Sequence, residues 1–452
     1  MYMITSDDFN ELINNFNPNP MHSKVERKRQ HTTHHLKCTD YDSVFVLSDL
    51  HADFEKFVQI LKQNNLIRSS DFVINEDTDE KTIYEHYYKT VEEAKWIAPK
   101  KTALLILGDL VDGFRGEIFS QLNDPLGCFE VLIHALIHNL RIQAQEKMSI
   151  VLFTIGNHDM DCIITMDEKK MEYMYDTYCH PEAKGFFGFI PDPESKAMLN
   201  RRNFLLPFYQ NCPFLFVEFV HEENVQVVCV HAGIHGKTAT ENLLEKWRPF
   251  QEQINKDGGL TEENIVNIDI ANSEVTNSIL WNRNYFEHAV CPQETEPVVI
   301  VGHCITTDMD MSSDKSYDGC DSTKNLSEGR GCVYVGCYHQ TTPKVIFVDT
   351  ALSRAFRYKT NNETRDVEIL KLQKSTAGNP YYYTFHRQLN GIVLDPPLRP
   401  PQVVSKRTPP LPPLISGGKK QKRKTRHRPK KRSASTKKWR YNYKLEKNLQ
   451  MK

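Results

Sequence analysis

Seven short apolar runs punctuate the first three-quarters of the chain. They are VFVLSD (44–49), LLILGD (104–109), IVLFTIGN (150–157), LFVEFV (215–220), VQVVCVH (225–231), VVIVGH (298–303) and VIFVD (345–349). Consecutive apolar positions of this length, without polar alternation, predict strands buried on both faces. Between them the period changes. Phe54, Phe57, Ile60 and Leu61 fall at helical spacing within 53–65. Leu126, Phe129, Leu132, Ile133, Leu136, Ile137 and Leu140 do the same within 126–142. Strands alternating with helices predict an α/β domain.

The pattern also marks where packing ends. Residues 308–331 are polar and read as a long loop. Beyond about residue 395 the apolar signal stops. Eight prolines lie between Pro396 and Pro413, followed by Gly417-Gly418. Such a composition cannot offset the entropy of ordering, so 396–452 is expected to be disordered. The resulting organisation is a polar leader (1–40), a main domain (41–372), an extension of it (373–395), a Pro-rich linker (396–418) and a basic tail (419–452). Within the leader, His31, His34, His35 and Cys38 carry metal-ligand atoms, but the segment reads first as a solvated polar arm.

Composition refines this picture. The net charge of −1 hides an asymmetry: 419–440 holds 13 Lys/Arg and no acidic residue, leaving 44 basic against 58 acidic residues elsewhere. An acidic body with a basic tail is a dipole whose tail seeks polyanions. The eleven cysteines are scattered, with no C-x-x-C pair and no signal-peptide pattern before them. They are therefore expected to be reduced thiols in an intracellular protein, cytoplasmic or nuclear. No run of about 18 apolar residues is present to span a membrane.

The chemistry sits where the strands end. The first run closes on Asp49-Leu50-His51 and the second on Gly108-Asp109-Leu110-Val111-Asp112. The third closes on Gly156-Asn157-His158-Asp159, and two later runs on His231-Ala232-Gly233 and Gly302-His303. In open α/β sheets, groups beyond the carboxyl ends of strands converge even when far apart in sequence. Carboxylates, an amide and imidazoles in such a cluster suit manganese, iron or zinc better than magnesium or calcium. No cysteine belongs to it, which argues against a closed structural zinc site. A pair of divalent ions needs a bridging carboxylate, and Asp109 is the candidate. Each piece alone is weak; five in order, each directly after an expected strand, make a site.

These residues resemble the shared pattern of the calcineurin-like metallophosphoesterases: D-x-H, G-D-x-x-D, G-N-H-[DE], a later His, and G-H. The chain is most similar to the phosphoprotein phosphatase branch, which includes Ser/Thr phosphatases, diadenosine tetraphosphatases and Shewanella-like phosphatases. DLHADFEKFVQILKQNNLI (49–67), Trp96, SILWNRNY (278–285) and VDTALSRAF (348–356) carry that narrower likeness, which covers about 41–372. Ile305 stands where other branches place a further His ligand. The resemblance implies a four-layer αββα sandwich of two mixed sheets flanked by helices.

Position by position, it implies one metal held by Asp49, His51 and Asp109, and a second by Asp109, Asn157, His231 and His303. Manganese is the first choice for both, with iron or zinc as alternatives. It implies His158 as the acid for the leaving oxygen, oriented by Asp112, and in-line attack by a metal-bridging hydroxide without a covalent intermediate. Arg283 is the phosphate clamp it suggests, with Asn157 as a second donor. One departure bears on substrate: Gly113 replaces the branch's phosphate-contacting Arg, and Arg115 follows two positions later as a weaker stand-in. Asp159 replaces the usual Glu, and Ala52 the usual Gly. The implied activity is phosphomonoester hydrolysis, on phosphoserine or phosphothreonine in proteins. The alternatives are a nucleotide or dinucleoside polyphosphate hydrolase, and a catalytically weak scaffold on nucleic acid.

The tail suggests partners of its own. Arg407–Pro413 (RTPPLPP) has the [RK]-x-x-P-x-x-P form bound by SH3 domains. Residues 419–440 suit nucleic acid or an acidic membrane surface. Ser433, Ser435 and Thr436 could be phosphorylated and weaken that binding. In composition this tail resembles those on proteins of large DNA viruses, where a virion location would follow.

Overall fold

The computed structural model describes residues 33–71, 78, 80–111, 128–165, 201–211, 214–272, 277–287, 290–304, 333–339, 342–350, 367–375 and 382–394. All seven apolar runs contain strands: β2 (Ser43–Leu47), β5 (Thr102–Leu107), β6 (Ile150–Thr154), β7 (Phe216–His221), β8 (Asn224–Val230), β9 (Val298–Val301) and β11 (Thr342–Phe347). Both expected helices form, as α1 (Phe54–Gln63) and α3 (Cys128–Glu146), with α2 (Glu80–Glu93) between them. The start of α1 is set by Asp53, whose carboxylate accepts from the Lys56 N–H at 3.0 Å. That capping satisfies a donor the helix cannot.

Two six-stranded mixed sheets organise the chain. One runs β1-β7-β8-β9-β11-β10, with β1 at His35–Lys37 and β10 at Tyr334–His339. The other runs β14-β13-β12-β2-β5-β6, with β12 at Glu368–Lys374, β13 at Tyr383–Leu389 and β14 at Ile392–Leu394. In the second sheet β2, β5 and β6 are parallel, and β12 joins β2 antiparallel. In the first, β8, β9 and β11 are parallel, and the short strands β3 (Ile67–Arg68) and β4 (Lys95–Trp96) pair separately.

Side-chain alternation shows the layers. Val44, Val46, Leu105 and Leu152 of one sheet share a buried cluster with Val217, Phe219, Cys229, Ile300 and Ile346 of the other. The opposite faces, through Phe45, Leu104, Val151, Val228 and Phe347, pack with helical residues such as Phe57, Leu61, Leu136 and Trp247. Strands covered on both sides are apolar throughout, hence the unbroken runs in the sequence. The expected sandwich of two mixed sheets with helices outside is observed.

Some expectations are revised. Residues 35–37, assigned to a peripheral leader, form edge strand β1, parallel to β7 with His35 opposite Glu218. Strands β12 to β14 were not anticipated, because EILKLQK and YTFHRQL mix polar and apolar residues on an edge-ward part of the sheet. The cysteines are not all thiols: Cys291 and Cys337 form a disulfide, Cα atoms 5.9 Å apart. They are 46 residues apart in sequence, and spacing alone cannot reveal which cysteines a fold brings together. Cys38, Cys162, Cys229 and Cys304 are buried thiols. Among the described residues no helix is long and apolar enough to cross a membrane. The expectations for 308–331, for 396–452 and its SH3-type and basic segments, and for Asp112, Gly113, Arg115 and His31 lie outside the described residues.

Candidate metal centre

The parallel strands β2, β5 and β6 and strands β8 and β9 deliver their loops to one end of the sandwich. The backbone there is strained. Asp49, His51, Asp109 and His303 all have positive φ, at 51°, 43°, 52° and 61°. Left-handed conformations cost non-glycine residues about 1–3 kcal/mol each and collect at functional sites. Gly108 turns at φ 79°, and a Cβ there would overlap the backbone of Gly156. The G-D and G-N-H loops are thus in backbone contact, which only glycines permit.

Asp109 lies at the centre. Its Oδ2 is 3.8 Å from His51 Nε2, 3.5 Å from His231 Nε2 and 3.9 Å from His158 Nε2. Its Oδ1 accepts the His158 N–H at 3.0 Å, from the first turn of α4 (Asn157–Thr165). Two groups of donor atoms fit a cation, His51–Asp109–His158 and Asp109–His231–His303, with the atoms of each group within 4.8 Å of one another. They share Asp109.

The imidazoles are turned to offer lone pairs. His231 Nδ1 donates to the Leu107 carbonyl at 2.6 Å, and His51 Nδ1 to the Val111 carbonyl at 3.2 Å. Each bond fixes the tautomer that leaves Nε2 facing Asp109, the arrangement of metal-binding histidines. His303 is held by the Trp281 backbone, and its N–H donates to Asp49 Oδ2 at 3.0 Å. Asn157 Oδ1 lies 2.9 Å from His231 Nε2. In that tautomer two acceptors face each other, a contact that a cation between them would satisfy.

Electrostatics points the same way. Burial raises the Asp49 carboxyl well above its usual range, and the charges of Asp349 and Asp109 raise it further. His303 is pushed well down, by burial first and then by His231 and Arg283. His231 is lowered by burial. Neutral imidazoles beside clustered buried carboxylates form a site that lacks positive charge and has ligands ready for it. The donor set fits divalent metal ions.

Several residues here were not singled out by sequence. Asp159 was noted only as a Glu replacement. Its carboxylate accepts from the N–H groups of Asp109 (2.7 Å), Leu110 (2.9 Å) and Gly156 (2.8 Å), and from the Tyr209 hydroxyl (2.7 Å). Ser48 bonds Asp49. Asp349 lies two residues past the end of β11 and is buried beside Asp49; the strand-end rule that found the other acids would have found it too. Arg283 is exposed, with Nε 3.4 Å from His303 Nε2, which puts its guanidinium at the rim.

Comparison with known proteins adds the family. A family model described as calcineurin-like phosphoesterase matches residues 43–337. No curated protein sequence matches the chain. Among solved structures, a cold-active protein-tyrosine phosphatase from a psychrophilic Shewanella species aligns at 14% identity and TM-score 0.40, covering 79% of this chain and 80% of that one. The phosphatase domain of a Legionella effector aligns at 15% identity and TM-score 0.35, covering 57% of this chain and 98% of its own. A serine/threonine phosphatase from Saccharomyces cerevisiae aligns at 12% identity and TM-score 0.38, covering 88% of this chain and 99% of its own. Likenesses this distant add nothing to the family match, which spans all five strand-end groups from Asp49 to His303 and shows that the chain belongs to the calcineurin-like phosphoesterases, metal-dependent phosphoester hydrolases.

Proposed function

We propose that the chain is a phosphomonoesterase that uses two divalent cations and acts on phosphoserine or phosphothreonine in proteins. The observation that carries the reaction class is the convergence of His51, His231 and His158 Nε2 on one oxygen of Asp109, with two donor groups sharing that residue. Asp49, His51 and Asp109 would hold one ion; Asp109, Asn157, His231 and His303 would hold the other. When bound, such ions supply Lewis acidity and acidify a water. Imidazole and carboxylate ligation favours manganese, iron or zinc.

His158 is the most accessible of the imidazoles around Asp109, with 14% of its side chain exposed. That exposure supports a role in which it would give a proton to the leaving oxygen. Arg283, at the rim, would clamp the phosphoryl oxygens. Asp112 would orient His158, and Arg115 would add a second positive group. The substrate class rests on the segment likenesses at 49–67 and 278–285. The basic run 419–440 would bring the enzyme to polyanions, and Arg407–Pro413 to SH3-type partners.

The test is parallel assay of manganese-loaded protein on p-nitrophenyl phosphate, phosphoserine and phosphothreonine peptides, and diadenosine tetraphosphate. Turnover of the phosphopeptides above the dinucleotide supports the reading. The reverse ranking replaces it with the nucleotide hydrolase, and no turnover of any substrate with metals bound removes the enzyme.

A further inference from the structure

A second cluster of ligand atoms lies apart from the metal centre and shares no residue with it. It comprises His34, His35 and Glu218, whose donor atoms lie within 4.8 Å of one another. His35 Nδ1 is 2.9 Å, and His34 Nε2 3.8 Å, from Glu218 Oε2. The strand register builds this arrangement. His35 of β1 sits opposite Glu218 of β7, and the Glu218 N–H donates to the His34 carbonyl at 2.8 Å.

Two features distinguish the cluster from an ordinary ion pair. Glu218 is fully buried, and its charge is already met at Oε1 by Arg248 at 2.6 Å. Its Oε2 is met only by the His35 Nδ1 contact at 2.9 Å, which is not aligned as a hydrogen bond, and His34 Nε2, on a residue only 2% exposed, has no hydrogen-bond partner. Two buried polar atoms 3.8 Å apart, neither making a hydrogen bond, call for a bound group between them. Burial, with the charges of His35 and Arg248, holds His34 down to about 3, so its ring is neutral at physiological pH. Half-exposed His35 leaves the cluster open to solvent on one side.

We propose that His34, His35 and Glu218 bind one divalent cation of the zinc class, staple-fashion between edge strand β1 and strand β7. Two imidazoles and a carboxylate, with water in the open position, match the ligand preferences of that ion. The cluster also explains how a three-residue edge strand is held. The helix behind it, α6 (Leu244–Asp257), which follows α5 (Leu206–Asn211) in the chain, supplies both Arg248 and Asn255.

Asn255 Nδ2 lies 3.0 Å from His34 Nδ1, and Gln251 Nε2 donates to Asn255 Oδ1 at 3.0 Å. With the cation on His34 Nε2, the imidazole proton moves to Nδ1 and the Asn255 amide turns its oxygen to it. The exchange gives up one neutral hydrogen bond, to Gln251, in return for coordination by three donors. Of the histidines and cysteine noted in the leader, the fold selects His34 and His35. Cys38 is buried elsewhere, its carbonyl accepting from the Tyr383 hydroxyl.

The experiment is zinc binding to the full chain after chelation and desalting, with bound metal counted by mass spectrometry. Wild type is expected to retain one equivalent more than His35→Ala and one more than Glu218→Gln. Cobalt in place of zinc is expected to give a wild-type minus His35→Ala difference spectrum with the visible bands of a four- or five-coordinate ion. His35 is half exposed, so its removal leaves the packed core intact; Gln at 218 keeps an oxygen for Arg248. Equal stoichiometry in wild type and both variants, or a featureless cobalt difference, overturns the proposal and leaves a plain Glu218–Arg248–His35 ion-pair network. Because the count is a difference, it does not depend on what the main centre binds.

Discussion

The carboxylate of Asp159 accepts the backbone N–H of Asp109 at 2.7 Å across 50 residues of sequence. With its bonds to Leu110, Gly156 and Tyr209, it locks the G-D loop to the G-N-H loop and sets where Asp109 and Asn157 stand. Four donors meet two carboxylate oxygens. In Asp159→Asn, an amide NH2 would point at donors, leaving buried N–H groups unsatisfied at about 1–3 kcal/mol each. The variant is expected to lose roughly 3 kcal/mol of stability and 10- to 100-fold in metal affinity. Tyr209→Phe removes one bond and should cost about 1 kcal/mol. Denaturant unfolding and metal titration measure both. An Asp159→Asn protein with wild-type metal affinity would show that the loops hold themselves.

Asp109→Asn removes the charge shared by both donor groups. Turnover is expected to vanish and metal loading to weaken. On the proposed role of His158 as the acid, His158→Asn should act differently. Metals should stay, and rate should fall most for substrates with poor leaving groups such as phosphoserine peptides, least for p-nitrophenyl phosphate. A uniform loss across leaving groups would assign His158 to metal binding instead, as its 3.9 Å approach to Asp109 Oδ2 permits.

The strands carrying these residues were legible because both faces are buried, so their sequences contain almost nothing polar until the ligand residue. Asp49, Asp109, Asn157, His231 and His303 could be read as strand-end groups for that reason. Asp159 could not, since its role lies in four hydrogen bonds to residues up to 50 positions away. Strand β1 was hidden because His35 and Lys37 are exposed and only Leu36 between them is buried, too short an alternation to register. The Cys291–Cys337 pair depends on two chain segments meeting in space, which no local pattern encodes.

Residues 396–452 are expected to contribute nothing to chemistry on a small substrate. A chain ending at residue 395 should hydrolyse p-nitrophenyl phosphate at the full-length rate. It should no longer be retained by immobilised polyanions at low salt, since 419–440 carries the excess positive charge. Loss of turnover on truncation would make the tail part of the catalytic domain.

The Cys291–Cys337 disulfide closes a loop over 46 positions. On the chain-entropy account such a link destabilises the unfolded state by about 4 kcal/mol. For a domain of this size, reduction should lower the melting temperature by roughly 5 °C. The Cys291→Ser/Cys337→Ser double variant should melt at the same lowered temperature and be insensitive to reductant. A wild-type melting curve unmoved by reductant, with free-thiol counts showing that the bond was broken, would contradict this.

Removing the metals should make stability depend on pH with a definite sign. The Asp49 carboxyl is raised by burial and by the charges of Asp349 and Asp109, whereas in the unfolded chain it ionises near 4. Between those two values the native state holds a proton that the unfolded state has lost, so stability falls as pH rises through the interval. Asp159 is raised by burial and by Asp109, and acts in the same direction. His231 and His303 are lowered and act the other way, but only below about 6.5, where the unfolded histidines titrate. Above pH 7 the carboxylates act alone. Chelated protein is therefore expected to lose thermal stability as pH rises through neutrality, where Asp159, raised to about 7, gives up its proton, and Asp49 acts in the same direction. Metal-loaded protein should change little, because bound cations neutralise the carboxylates whatever the pH. Scanning calorimetry with and without chelator makes the comparison. Parallel curves for the two forms would mean that the buried carboxylates are compensated by something other than metal.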